Sequence, residues 1–256
     1  MVNTDVIRDV VARRSTQFAL GAEFCTIDEL TPQERDTLPA TWSAILTAAP
    51  DAAIATVLEQ WRTLCPHLPV ITDALERSIL GMGLVRARRR FHPTHGDSNS
   101  PANPSSEIAL MYMLREVVLD DVPFQAWFGW PPYSGSKPFY WTSLEPVTGS
   151  LTTEFHDGFV DGYRSGIVPI ADHHTVLERW GADVQFLDAD DQPIPADQRP
   201  DPANLIVCAE HAGHLAFAID AAHTDGRGWA DTYDDLKSVD SAQVIDEFVG
   251  EIIGDV

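Results

Sequence analysis

The chain has 256 residues, 44% of them hydrophobic and 22% charged, which suits one large domain or two small ones with enough apolar material to form a core without staples. Those proportions exclude a wholly disordered, collagen-like or coiled-coil chain. Charge is the unusual quantity. Thirty-nine acids against 17 bases give a net −22, which argues against nucleic-acid binding, where Lys and Arg must displace counterions from phosphates.

The imbalance is uneven. Residues 1–145 carry 17 acids and 12 bases, net −5, whereas residues 146–256 carry 22 and 5, net −17. Apolar runs such as residues 52–57 and 205–209 fall far short of the ~20 residues a spanning helix needs, so no membrane segment is expected. Asp5 and Asp9 interrupt the first apolar run, so no signal peptide is expected either. Cys25, Cys65 and Cys208 are odd in number and lack a CxxC pair, which reads as neither a disulfide framework nor a zinc knuckle. A protein of the reducing cytoplasm fits all three observations.

The N-terminal third reads as helical. Val6, Ile7, Val10 and Val11 follow Thr4 at helical spacing, and Thr31-Pro32-Gln33-Glu34 has the capping-box pattern with Pro at the first helical position. Trp42, Ile45, Leu46 and Ala49 form one apolar stripe, and Ile54, Val57, Leu58, Trp61 and Leu64 another. Leu75, Ile79 and Leu80 predict a further helix ending near Gly81-Met82-Gly83. The basic run from Arg86 to Arg90 reads either as a solvated helix end or as a docking point for the acidic part of the chain. Residues 92–106, dominated by Pro, Ser, Asn and Gly, read as an exposed loop.

From Glu107 the spacing of Ile108, Met111, Tyr112, Arg115 and Val118 predicts a helix, and the prolines and glycine of residues 131–135 rule out regular structure throughout the aromatic stretch that follows. A capping box at Thr142 and Glu145 opens a helix with Leu144, Val147, Leu151 and Phe155 inward, stopping at Asp157-Gly158. Strand-like alternation then takes over. Val184 and Phe186 precede a turn at residues 188–191, and residues 205–220 read as a hairpin turning near Gly213. A final helix carries Val244, Ile245, Phe248, Val249, Ile252 and Ile253, capped by Asp240 or Ser241. Helices, then strands, then a closing helix is an α+β order.

Motifs for chemistry are sparse. Ser165 stands one place late for a G-x-S-x-G elbow, and neither a phosphate loop nor a G-x-G-x-x-G occurs. His92, His95 and Asp97, the Asp172-His173-His174 run, and His211, His214 and His223 have spacings compatible with metal ligation, but none matches a recognised zinc motif. No cofactor, no metal and no catalytic residue is expected.

The second half carries a resemblance. Trp141 to Pro146 leading into Phe155-His156-Asp157-Gly158-Phe159, then residues 165–170, the hairpin of residues 208–220, Gly228 to Asp235, and the helix of residues 241–248 together resemble the SUKH superfamily in series. The similarity spans roughly residues 139–253, with Asp157 where the family usually has Asn and nothing matching in the first 138 residues. The resemblance implies an α+β fold with a mixed curved sheet flanked by helices, expected here over residues 107–256, and the apolar spacing makes residues 1–106 a mainly helical region before it. It also implies no catalytic residues, and a role as an immunity protein that occludes a cognate toxin, a nuclease for instance, or another protein with a basic surface. An intracellular interaction protein without a toxin partner is the alternative, and a hydrolase using His211 or His214 the third. Asp225, Trp229, Asp231, Tyr233, Asp234 and Asp235 combine charge with aromatic rings and are the expected partner-binding segment; the competing reading puts the rings in the sheet and the acids in solvent.

Overall fold

The computed structural model describes residues 4–18, 22–88, 106–115, 124–161, 165–211, 215–231 and 235–254. The expected N-terminal helices form: α1 (Thr4–Phe18), α2 (Pro32–Thr37), α3 (Ala40–Thr47), α4 (Pro50–Leu64) and α5 (Pro69–Ser78). The capping box of α2 closes in both directions. The Thr31 N–H donates to Glu34 Oε2 at 2.7 Å, and the Glu34 N–H to the Thr31 hydroxyl at 3.2 Å. Val57 and Trp61 of α4 and Leu75 of α5 are wholly buried as expected, and Ile71 and Ala74 of α5 join them.

Two segments expected to be helical are strands. After the short β1 (Glu23–Cys25), the chain from Ile79 runs into β2 (Ile79–Arg88), and residues 107–114 lie in β3 (Ser106–Leu114). Ile108, Leu110, Tyr112 and Leu114 face one core cluster, while Ala109, Met111 and Met113 face another. A strand buried on both faces shows no alternation, and its apolar run then mimics a helix stripe. Arg86 therefore sits on β2 and not at a helix end. Its Nε donates to Glu34 at 2.7 Å and its terminal nitrogen to the Glu29 carbonyl, fastening α2 to the sheet instead of docking the acidic half. The Arg88 side chain, Arg89, Arg90 and the loop expected from residue 92 fall outside the described residues, and Ser106 already opens β3.

The aromatic stretch contains a regular strand, β4 (Gln125–Trp130), ended by Pro131. Then α6 (Trp141–Leu144), a π turn (Glu145–Gly149) and α7 (Ser150–Glu154) form one continuous helical stretch, with Leu144, Val147, Leu151 and Phe155 all wholly buried as expected. The expected capping box at Thr142 does not form, because Tyr140 occupies the N-cap and Thr142 lies in the first turn. Pro146 has no N–H and its ring crowds the preceding turn, so the helix widens there. The widened turn is bound by His67, whose Nε2 lies 2.6 Å from the Val147 carbonyl. Gly158, the expected stop, has φ +83°, and a Cβ there would meet the Pro169 nitrogen at 2.6 Å.

The remaining elements are β5 (Asp157–Asp161), β6 (Gly166–Ile167), β7 (His174–Thr175), α8 (Val176–Trp180), β8 (Gln185–Leu187), β9 (Leu205–His211), β10 (Leu215–Asp220), β11 (Arg227–Asp231), β12 (Asp235–Asp240) and α9 (Ser241–Gly254). The α+β expectation holds, with one open mixed sheet of twelve strands in the order β1-β2-β3-β4-β5-β6-β9-β10-β11-β12-β8. Among the described residues only the β12–β8 pairing is parallel, and β7 joins β9 beside β6. β2 pairs with β3 from Arg88↔Ser106 to Ile79↔Leu114, so strands from both sides of residue 106 lie in one sheet.

Helices α3, α4, α5, α6 and α9 cover one face. The opposite face is covered by α1 over β2–β4 and by α8 over β9–β11. Asp240 caps α9, accepting the Gln243 N–H at 3.0 Å, and Ile245, Val249 and Ile253 are wholly buried against α5 and the sheet. Asp246 of α9 is itself 4% exposed. It accepts the Val70 and Ile71 N–H groups at 3.0 and 2.8 Å, capping the start of α5 from 175 residues away.

Candidate binding site

β11 carries Trp229 and Asp231 of the expected partner-binding segment, and alternation along it decides where each side chain goes. Arg227, Trp229 and Asp231 share one face, while Gly228 and Ala230 turn to the helix-covered face. That face is not solvent. Trp229 is 4% exposed and packs edge-on against Phe186 at 5.1 Å within the cluster under α8, so it is a core ring and not a surface anchor. Asp231 is 8% exposed and Asp235 half-buried, and both are engaged with neighbouring groups. Only Asp225, in the turn before the strand, is exposed as expected; Tyr233 and Asp234 lie outside the described residues.

Beside that turn the structure brings together residues that the sequence leaves far apart. A cleft of about 170 Å³ is lined by Arg199, Pro200 and Asp201 from the segment before β9, by Asp220, Ala222 and His223 from the end of β10, and by Arg227 and Trp229 of β11. Its two carboxylates are committed to turns. Asp201 Oδ1 accepts the Ala203 N–H and Asp220 Oδ1 the Ala222 N–H, each at 2.9 Å. Its cations are freer. Arg199 spends Nε on the Ile194 carbonyl at 2.9 Å, and the Arg227 guanidinium reaches only the exposed Asp225, at 3.8 Å. The signal for this cleft was the scarcity of bases: Arg199 and Arg227 are two of only five Lys and Arg in residues 146–256.

The other groups with chemical potential are enclosed. Ser165 lies 2.8 Å from His211 Nδ1, a pairing that the misplaced elbow serine did not announce, but Ser165 is 0% exposed and its N–H is held by Asp161. Arg179 pairs with Glu210 at 2.6 Å, Glu210 being 1% exposed. His156 is wholly buried among Trp42, Phe155 and Phe159, and burial lowers its pKa to about 3. His173, between the Tyr140 hydroxyl and the Val168 carbonyl, is lowered to about 4 for the same reason. Burial pushes the thiols of Cys25, Cys65 and Cys208 up to about 11, 12 and 12, so they are structural and not nucleophilic.

Among the described residues, no three His, Cys, Asp or Glu side chains are grouped to hold a metal ion, and no helix is long and apolar enough to cross a membrane. His92, His95, Asp97 and His214 fall outside the described residues. Compared with family models, curated proteins and solved structures, the chain matches none, so its fold and its cleft rest on its own residues.

Proposed function

We propose that this chain is a cytoplasmic protein-binding module that neutralises a toxin with a basic surface by covering it. The observation that carries the reading is the charge of its surface. Asp183, Asp190, Asp197, Asp225, Glu247 and Glu251 are all exposed in the half that carries net −17. Such a field accelerates encounter with a basic partner and disfavours acidic ones. A nuclease, which must attract phosphates, is basic where it works and fits that field. The resemblance of residues 139–253 to the SUKH superfamily supports the same role.

The partner is then the product of a toxin gene beside this one. Association of the two purified proteins should be fast at low ionic strength and slow at high, and changing Asp183, Asp190 and Asp197 together to Asn should slow it severalfold at low salt while leaving the thermal midpoint in place. A rate independent of salt, or no complex with that toxin, overturns the proposal. A hydrolase reading has one observation in its favour, the Ser165–His211 pair, but a serine at 0% exposure offers a substrate no approach in this conformation.

A further inference from the structure

The cleft beside the β10–β11 turn has a chemistry opposite to that of the surface around it. Arg199, Arg227 and His223 all line it, within the part of the chain that has five bases in all. Arg199 is anchored by its Nε to the Ile194 carbonyl, and its terminal nitrogens have no partner among the described residues. Arg227 is tied to the backbone side of the turn through its own N–H, which donates to Asp225 at 3.2 Å. Its guanidinium is held only by that same exposed carboxylate, at 3.8 Å. His223 Nε2 stands 3.8 Å from Asp220, the far oxygen of a carboxylate already accepting a backbone N–H. The Arg199 terminal nitrogens are thus unspent donors at the cleft, while Asp201 and Asp220 each give one oxygen to a backbone N–H and keep their charge.

We propose that this cleft binds a carboxylate on a short stem, with the Arg199 and Arg227 guanidinium groups as its donors and His223 beside them. Size sets the class. At about 170 Å³ the cleft takes a side chain or a small acid, whereas drug-sized ligands occupy roughly 300–1,000 Å³. Charge selects within the class. Asp201 and Asp220 in the wall repel any anion, a dianion such as phosphate more strongly than a single carboxylate, and the carboxylate also matches the planar fork of a guanidinium. Pro200, Ala222 and the Trp229 ring supply apolar wall for the stem. This site does not depend on a toxin partner, and its test uses the protein alone.

The test is an amide-shift titration of the full chain with acetate, glutarate, a short peptide bearing one internal Glu and blocked ends, and a peptide with a free C-terminal carboxylate. Inorganic phosphate at the same concentration is the control. The carboxylate probes should move the Ala222, His223 and Arg227 amides, phosphate should move them less, and R199Q and R227Q should each weaken binding by about tenfold, the scale of one charge-assisted hydrogen bond. Tighter binding of one peptide identifies the natural source as a side chain or a chain terminus, and either result supports the site. Amides that stay still with every carboxylate overturn the proposal, as do equal shifts with phosphate or unchanged binding in a folded R199Q/R227Q double variant.

Discussion

Single side chains tie distant parts of this chain together. Removing the Asp246 carboxylate should strip the Val70 and Ile71 N–H groups of their acceptor, with Ile71 wholly buried. D246A should then cost about 1–3 kcal/mol in a chemical-denaturation midpoint, and D246N less, because the amide oxygen still accepts from one of the two. Burial raises the Asp246 pKa while the two N–H donors lower it, so the cap works against its own desolvation. A second point of leverage is Tyr112. The Trp61 indole N–H donates to its hydroxyl at 3.2 Å, which leaves the hydroxyl proton for His156 Nε2 at 2.5 Å. Y112F should therefore orphan two buried groups at once and lower stability by about 1–3 kcal/mol, readable as a lower thermal midpoint with an unchanged fold by circular dichroism.

At the level of elements, the decisive variable is how many faces are buried. On β3 both faces are, so L110D and M111D should each abolish soluble expression, whereas S238D on the half-buried β12 should be tolerated. An amphipathic helix over the same residues would accept one of the first two. This contrast explains what was legible in the sequence. The α9 stripe, the Thr31 capping box and the burial of Leu144, Val147, Leu151 and Phe155 could be read because one face meets solvent and the other does not, or because a cap has its own local chemistry. β2 and β3 could not, since a strand apolar on both sides leaves no period to detect. The same limit applies to the site. Alternation puts Arg227, Trp229 and Asp231 on one face, but only the packing of α8 and Phe186 reveals that this face is covered. Arg199 and Arg227 line one cleft because the turn after β10 lies beside the segment before β9, a tertiary fact with no local trace.

For the molecule as a whole, acid should be destabilising at moderate salt. His156 and His173 have folded pKa values lowered to about 3 and about 4 from 6.5. Between pH 6.5 and 4 the unfolded chain therefore takes up protons that the folded one refuses, and stability is lost as pH falls, at up to about 1.4 kcal/mol per unit for each group. Glu34, lowered to about 2 first by its bond to Arg86, holds stability above about 4.5 that is lost as pH falls toward 2, in the same direction. The thermal midpoint should fall steadily from pH 7 to 4, and H173Q should flatten the upper part of that slope; a midpoint that rises instead would mean that relief of the −22 charge outweighs both. The seating of α9 on α5 reaches further, into synthesis. Until Asp246 and Ile253 have left the ribosome, α5 lacks its cap and the helix-covered core lacks one wall, so the growing chain must wait with apolar surface uncovered. A message cut short before α9 would yield not a smaller working protein but a client for chaperones and proteases.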